Sequence, residues 1–121
     1  NFKIMNREIK IRVFDSSTKL MIDLPHLSVE FGIIERNYDC ETIMLCSGLK
    51  DKKGVEIFEG DILKNPSGKK YIVIWFGNGF YGKSKHSHDK NRIISNPLCF
   101  DYLENKEIIG NIYENPDLLT I

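Results

Sequence analysis

Residues Glu8 to Phe14 alternate, with Ile9, Ile11 and Val13 on one side and Lys10 and Arg12 on the other. A period of two is the signature of a strand with one buried face. Asp15-Ser16-Ser17 supplies a turn, because Asp and Ser side chains bond local backbone, and Lys19 to Ile22 returns antiparallel until Pro25 ends it. His26 to Phe31 reads as another short strand, while Gly32 to Glu41 is too mixed to assign. Thr42 to Cys46 is compact and apolar, a buried strand feeding into Ser47-Gly48-Leu49, where Gly48 bends the chain or admits a close backbone.

Turn chemistry dominates the next stretch. Lys50 to Gly54 has the composition of a reverse turn, with Asp early and Gly where φ is positive. Val55 to Phe58 is a short extended segment, and Glu59-Gly60-Asp61 makes a second turn before Ile62 and Leu63, which Asn65-Pro66-Ser67-Gly68 terminates. Two tight turns so close together imply the sharply folded β-corner of a small barrel. Tyr71 to Phe76, then Gly77-Asn78-Gly79, then Phe80-Tyr81 is the clearest hairpin, with Asn-Gly accommodating the connection. Tyr71, Val73 and Trp75 share one face of its first strand and Ile72, Ile74 and Phe76 the other, so at least one aromatic set is buried.

Lys83 to Asn91 contains no apolar residue and reads as an exposed, mobile loop. Leu98 to Tyr102 and Glu107 to Ile109 read as the last strands, with a bend at Gly110-Asn111. Asn115-Pro116 fits an N-cap and first helical position, which predicts one helical turn over Pro116 to Leu119. No segment sustains an apolar period of 3.6. The expected class is therefore mainly β with marginal helix, at most one short C-terminal helical turn.

Length and composition fit that picture. A chain of 121 residues with 41% hydrophobic and 28% charged residues has the size and balance of one globular domain. The longest apolar run, Tyr71 to Phe76, falls far short of the roughly 20 residues that cross a bilayer, and no apolar export segment follows a basic start, so a cytoplasmic setting is expected. The three cysteines show no CxxC spacing, which argues against a disulfide framework. Cys46 and Cys99 lie among apolar residues and read as small buried hydrophobes, Cys40 as exposed.

The charge distribution is more informative than its zero sum. Lys64 to Arg92 holds seven basic residues against Asp89, and Pro97 to Ile121 five acidic residues against Lys106. The basic segment is either free to meet an anionic partner or neutralised by the chain's own C-terminal stretch.

Three segments also resemble one family. The string from Ser47 to Leu63 is similar to the central signature of the YopX family of phage and prophage proteins. Asn6 to Asp15 resembles that family's opening strand and Ile108 to Leu119 its C-terminal signature, in the family's order, leaving residues 1–5 as an extension to a single domain over 1–121. Where this chain has Phe14 and Phe58 the family often has Trp and Tyr, a swap that keeps an aromatic wedge and loses a polar tip. The resemblance implies a compact SH3-like small barrel with additional strands, self-association and a bacterial or phage cytoplasmic setting. It implies no catalytic residues and no cofactor.

Residue chemistry alone supports no enzyme. His86, His88 and Asp89 lack a third and fourth ligand to complete a metal site. Glu56, Glu59 and Asp61 form a carboxylate cluster better explained by turns, with Asp61 accepting backbone N–H groups and Glu59 in solvent. Gly77-Asn78-Gly79 is not followed by a helix and cradles no phosphate. What remains is Lys69, Lys70, Lys83, Lys85, Lys90 and Arg92 interleaved with Trp75 and Tyr81, a combination with which small barrels meet phosphate and stack bases. These residues form the candidate partner surface of a binding module. A protein partner is the first expectation, nucleic acid the second and an uncharacterised enzyme the third, with self-association through strand edges near Phe80 and Tyr81.

Overall fold

The structure, a computed structural model, describes residues 10–24, 43–77, 79–84 and 95–119. It divides into two compact units, Asn1–Cys46 and Ser47–Ile121. Among the described residues the architecture is mainly β, with two antiparallel sheets.

In the first unit β1 (Ile11–Asp15) pairs with β2 (Leu20–Leu24) from Ile11 opposite Leu24 to Asp15 opposite Leu20. The alternation expected here is realised: Ile11 and Val13 are buried, as are Phe14 and Met44. Asp15 closes the hairpin, its Oδ1 accepting the Ser17 N–H at 3.0 Å and the Ser17 hydroxyl at 2.7 Å. On its other edge β1 pairs with the start of β3 (Ile43–Lys50). β3 continues as strand through Ser47 and Leu49, and Gly48 takes φ +79° within it. A Cβ there would meet no atom within 4 Å, so conformation and not space requires the glycine.

The second unit opens on the turn that joins β3 to β4 (Glu56–Phe58). Asp51, 7% exposed, organises it: Oδ1 accepts the N–H groups of Lys53 and Val55, both at 2.9 Å. Its Oδ2 takes the Ile108 N–H, 57 residues on, at 3.0 Å. Asp61 works similarly at the next turn, buried at 1% exposure and accepting the Phe58 N–H at 2.8 Å, while Glu59 is partly buried.

Beyond it stand β5 (Asp61–Lys64), β6 (Lys70–Phe76), β7 (Gly79–Ser84), β8 (Ser95–Pro97) and β9 (Glu107–Asn111), ordered β8-β7-β6-β5-β9. The β6–β7 hairpin is present as expected, with one adjustment: Phe76 pairs with Gly79, so the connection is Gly77-Asn78. Gly110 lies within β9 opposite Ile62, next to a bulge.

Leu98 to Tyr102 does not continue the sheet. Leu98 packs partly buried against the core, and Phe100–Leu103 forms a single helical turn, α1, closed by Leu103 N–H to the Cys99 carbonyl at 3.0 Å. With the 3-10 turn at Pro116–Leu119, the described residues hold two helical turns where at most one was expected. Asn115 contributes its carbonyl to that last turn, accepting the Leu118 N–H, while its side chain reaches back to the Asn111 N–H at 3.2 Å.

Ile57, Leu63, Val73 and Leu103 form the core of this unit, none more than 2% exposed, and Leu49, Tyr71, Phe80, Tyr102 and Ile108 pack around them. Each fully buried aliphatic stabilises by roughly 1.5–3 kcal/mol. Of the two faces of β6, the one bearing Tyr71 and Val73 enters this core. α1 exists to deliver Leu103 to it.

Candidate interaction surface

The hairpin strands run past the core they cover. Val73 is 1% exposed, but Trp75, two residues on along the same face, is 49% exposed, and Phe76 on the opposite face is 53% exposed. Each ring keeps a cross-strand neighbour: Trp75 meets Phe80 edge-on with centroids 5.0 Å apart, and Phe76 meets Tyr81 edge-on at 6.4 Å. Edge-to-face pairs hold rings in fixed orientation at low entropic cost. Aromatic surface is therefore presented from both faces of one tip.

The basic residues proposed with them are not all there. Lys83 flanks Tyr81 on the same face, opposite Ile72. Lys69 and Lys70 stand at the far end of β6, about 20 Å away at roughly 3.3 Å per residue. Lys69 is exposed beside a turn whose Asn65 Oδ1 accepts the Lys69 N–H at 2.8 Å. Lys70 bends inward and donates to the Leu118 carbonyl at 2.8 Å. Lys85, Lys90 and Arg92 lie outside the described residues, as do His26 to Phe31, Cys40, His86, His88 and Asp89. Among the described residues, no three His, Cys, Asp or Glu side chains converge as metal ligands.

A polar cluster that sequence spacing does not reveal lies behind β6. Tyr102 meets Tyr71 edge-on, centroids 5.9 Å apart, and its hydroxyl is buried without a hydrogen-bond partner among the described residues. That hydroxyl occupies the space a side chain at position 82 would need, which explains Gly82 in the middle of β7. Burial pushes the phenol pKa up. Lys106, 7% exposed, places its ammonium 4.2 Å from the Tyr102 ring centroid and 5.7 Å from that of Tyr71. It also donates to the Tyr102 carbonyl at 3.0 Å and to Asn105 Oδ1 at 2.7 Å. Burial lowers its pKa.

An open depression of about 660 Å³ lies between the turn after β3 and α1, lined by Leu49, Lys50, Lys52, Leu103 and Glu104 and rimmed by Phe100, which is 81% exposed. Cys99, expected to be buried, is exposed because it occupies the extended position immediately before α1, where the chain leaves the sheet. Cys46 is partly buried in β3. Among the described residues no helix is long and apolar enough to cross a membrane.

The fold is similar to that in the crystal structure of protein EF1440 from Enterococcus faecalis, with a TM-score of 0.61 and 25% sequence identity, over 95% of this chain and 100% of that one. No curated protein matches significantly. The family model described as YopX protein matches residues 15–120, nearly the whole chain, and agrees with the resemblance carried by Ser47 to Leu63 and Ile108 to Leu119: the chain belongs to the YopX family.

Proposed function

We propose that this YopX-family chain is a non-enzymatic phage or prophage accessory protein that acts in the bacterial cytoplasm by contact with another protein through the β6–β7 tip. The observation that carries the reading is the exposure of Trp75 and Phe76 on opposite faces of one hairpin, each oriented by a second ring. Rigid, half-exposed aromatics are the residues that dominate protein–protein binding energy, and they lose little entropy when buried by a partner. Nucleic acid fits the tip less well, since Lys83 is the only described lysine of the candidate set close to these rings and phosphate neutralisation needs several cations. In this reading the β-rich scaffold is a small barrel-like platform that projects the hairpin.

The test is affinity capture from host cells with the wild-type chain and with Trp75→Ser/Phe76→Ser, using Phe100→Ser as a control for loss of an exposed ring elsewhere. A protein retained by wild type and control and lost with the tip variant, then rebound when purified, supports the reading. The same proteins retained by all three chains would overturn it, and so would captured nucleic acid whose loss on nuclease treatment releases everything else.

A further inference from the structure

Lys64, at the end of β5, faces Lys70 on one neighbouring strand and Glu107 on the other. Like charges directly opposed across strands cost stability. Lys70 relieves part of that cost through the Leu118 carbonyl. Two more cations arrive from the turn after β3: Lys53 Nζ lies 2.7 Å from Glu107 Oε2, and the Lys52 N–H donates to the Lys106 carbonyl at 3.0 Å, which fixes Lys52 beside Glu107. Lys69 belongs to the same end of the sheet, since the Asn65 N–H donates to its carbonyl at 3.0 Å.

Lys52, Lys53, Lys64 and Lys69 are all exposed. Against them stands Glu107, whose pKa is held down by the hydrogen bond and charge of Lys53 and then by Lys52 and Lys64. Of the other carboxylates nearby, Asp51 is buried and sealed by three backbone N–H groups, and the exposed Glu104 lines the same depression as Lys52. Segments far apart in sequence have thus been folded into one cationic surface.

We propose that Lys52, Lys53, Lys64 and Lys69 form a contact surface for the phosphate backbone of nucleic acid, with Glu107 as the internal anion that holds the lysines together before a phosphate does. Lysine is a compact point charge on a flexible stem, suited to phosphates of variable position. The cluster is mainly cationic, with Phe100 at its edge on the rim of the depression that Lys52 lines, so it reads backbone before base. The surface is separate from the hairpin tip, and either proposal stands if the other fails.

Fluorescence anisotropy of a labelled DNA duplex, titrated with NaCl, tests it on the whole chain. Four contacts predict a slope of log K against log salt of about −3 to −4. Lys52→Gln/Lys53→Gln/Lys64→Gln, checked for folding by circular dichroism, should lose at least about tenfold in affinity at low salt and flatten the slope to about −1. Glu107→Gln should bind several-fold more tightly, and Trp75→Ser/Phe76→Ser should bind as wild type does. No binding at low salt, an unchanged slope in the triple variant, or loss of binding in the tip variant would overturn the proposal. Equal binding of polyglutamate with the same slope would also overturn it, assigning the surface to an acidic protein segment instead.

Discussion

Replacing Asp51 tests how the second unit is tied together. Alanine removes three hydrogen bonds to a carboxylate at once. Bonds to charged groups contribute roughly 1.5–3 kcal/mol when buried, less where the freed donor reaches water. Lys53 and Val55 are exposed residues whose N–H groups rehydrate, so each loss costs about 1 kcal/mol. Ile108 packs on the core, and its N–H loses about 2 kcal/mol, for a total of roughly 3–5 kcal/mol. Asparagine separates the contributions. Its carbonyl oxygen retains Lys53 and Val55, but its NH2 then opposes the Ile108 N–H, donor to donor, at a cost of roughly 1.5–3 kcal/mol. Urea unfolding followed by far-UV circular dichroism should rank wild type above Asp51→Asn above Asp51→Ala. Native-state hydrogen exchange at Ile108 should speed up in both variants. Variants within about 0.5 kcal/mol of wild type, or an asparagine variant as unstable as alanine, would refute the assignment of the long-range bond.

Three further outcomes follow from the same structure. Gly110→Ala would put a Cβ 2.5 Å from Asn115 Oδ1 and displace that side chain from the Asn111 N–H, costing about 2–3 kcal/mol in chemical denaturation, whereas Gly48→Ala meets no atom and costs only about 1–2 kcal/mol for its positive φ. Tyr102→Phe should stabilise by about 1 kcal/mol, since it keeps the ring contacts of Tyr71 and Lys106 and removes a buried hydroxyl without a described partner. It should also remove an alkaline loss: the folded phenol pKa is raised, so above pH 10.0 the unfolded chain sheds a proton that the folded chain keeps, and wild-type stability falls as pH rises toward the folded value. Glu107 has the opposite sign. Its pKa is lowered from 4.5, so its contribution is present above that pH and lost as pH falls through the folded value, a dependence that Lys53→Gln should weaken in acid titrations followed by circular dichroism.

Where structure is set by neighbours in sequence, the residues declare it. The alternation of Ile11 and Val13, the turn bonds of Asp51 and Asp61 and the turn of the β6–β7 hairpin all depend on residues within four positions of one another. Phe100 to Leu103 misled because four residues are too few to show a helical period, and aromatic residues there suit a strand equally well. The same locality explains the mistaken burial of Cys99. At the candidate surface, periodicity showed that one face of β6 is buried but not that the core ends at Val73, which leaves Trp75 exposed. The convergence of Lys52, Lys53 and Lys64 on Glu107 needs pairing across more than forty residues, and no local pattern encodes it.

The bond from Ile108 to Asp51 has a consequence for assembly. Among the described strands β9 is the outer one of its sheet, and an outer strand offers backbone groups on which a further strand can be laid. Here the turn after β3 has taken two successive positions of that template: the carboxylate of Asp51 holds the Ile108 N–H, and the Lys52 N–H holds the Lys106 carbonyl. An approaching strand would find acceptor and donor already engaged at the point where pairing would begin. The turn that organises the core of this unit therefore also occupies the edge of β9 on which a further strand would be laid.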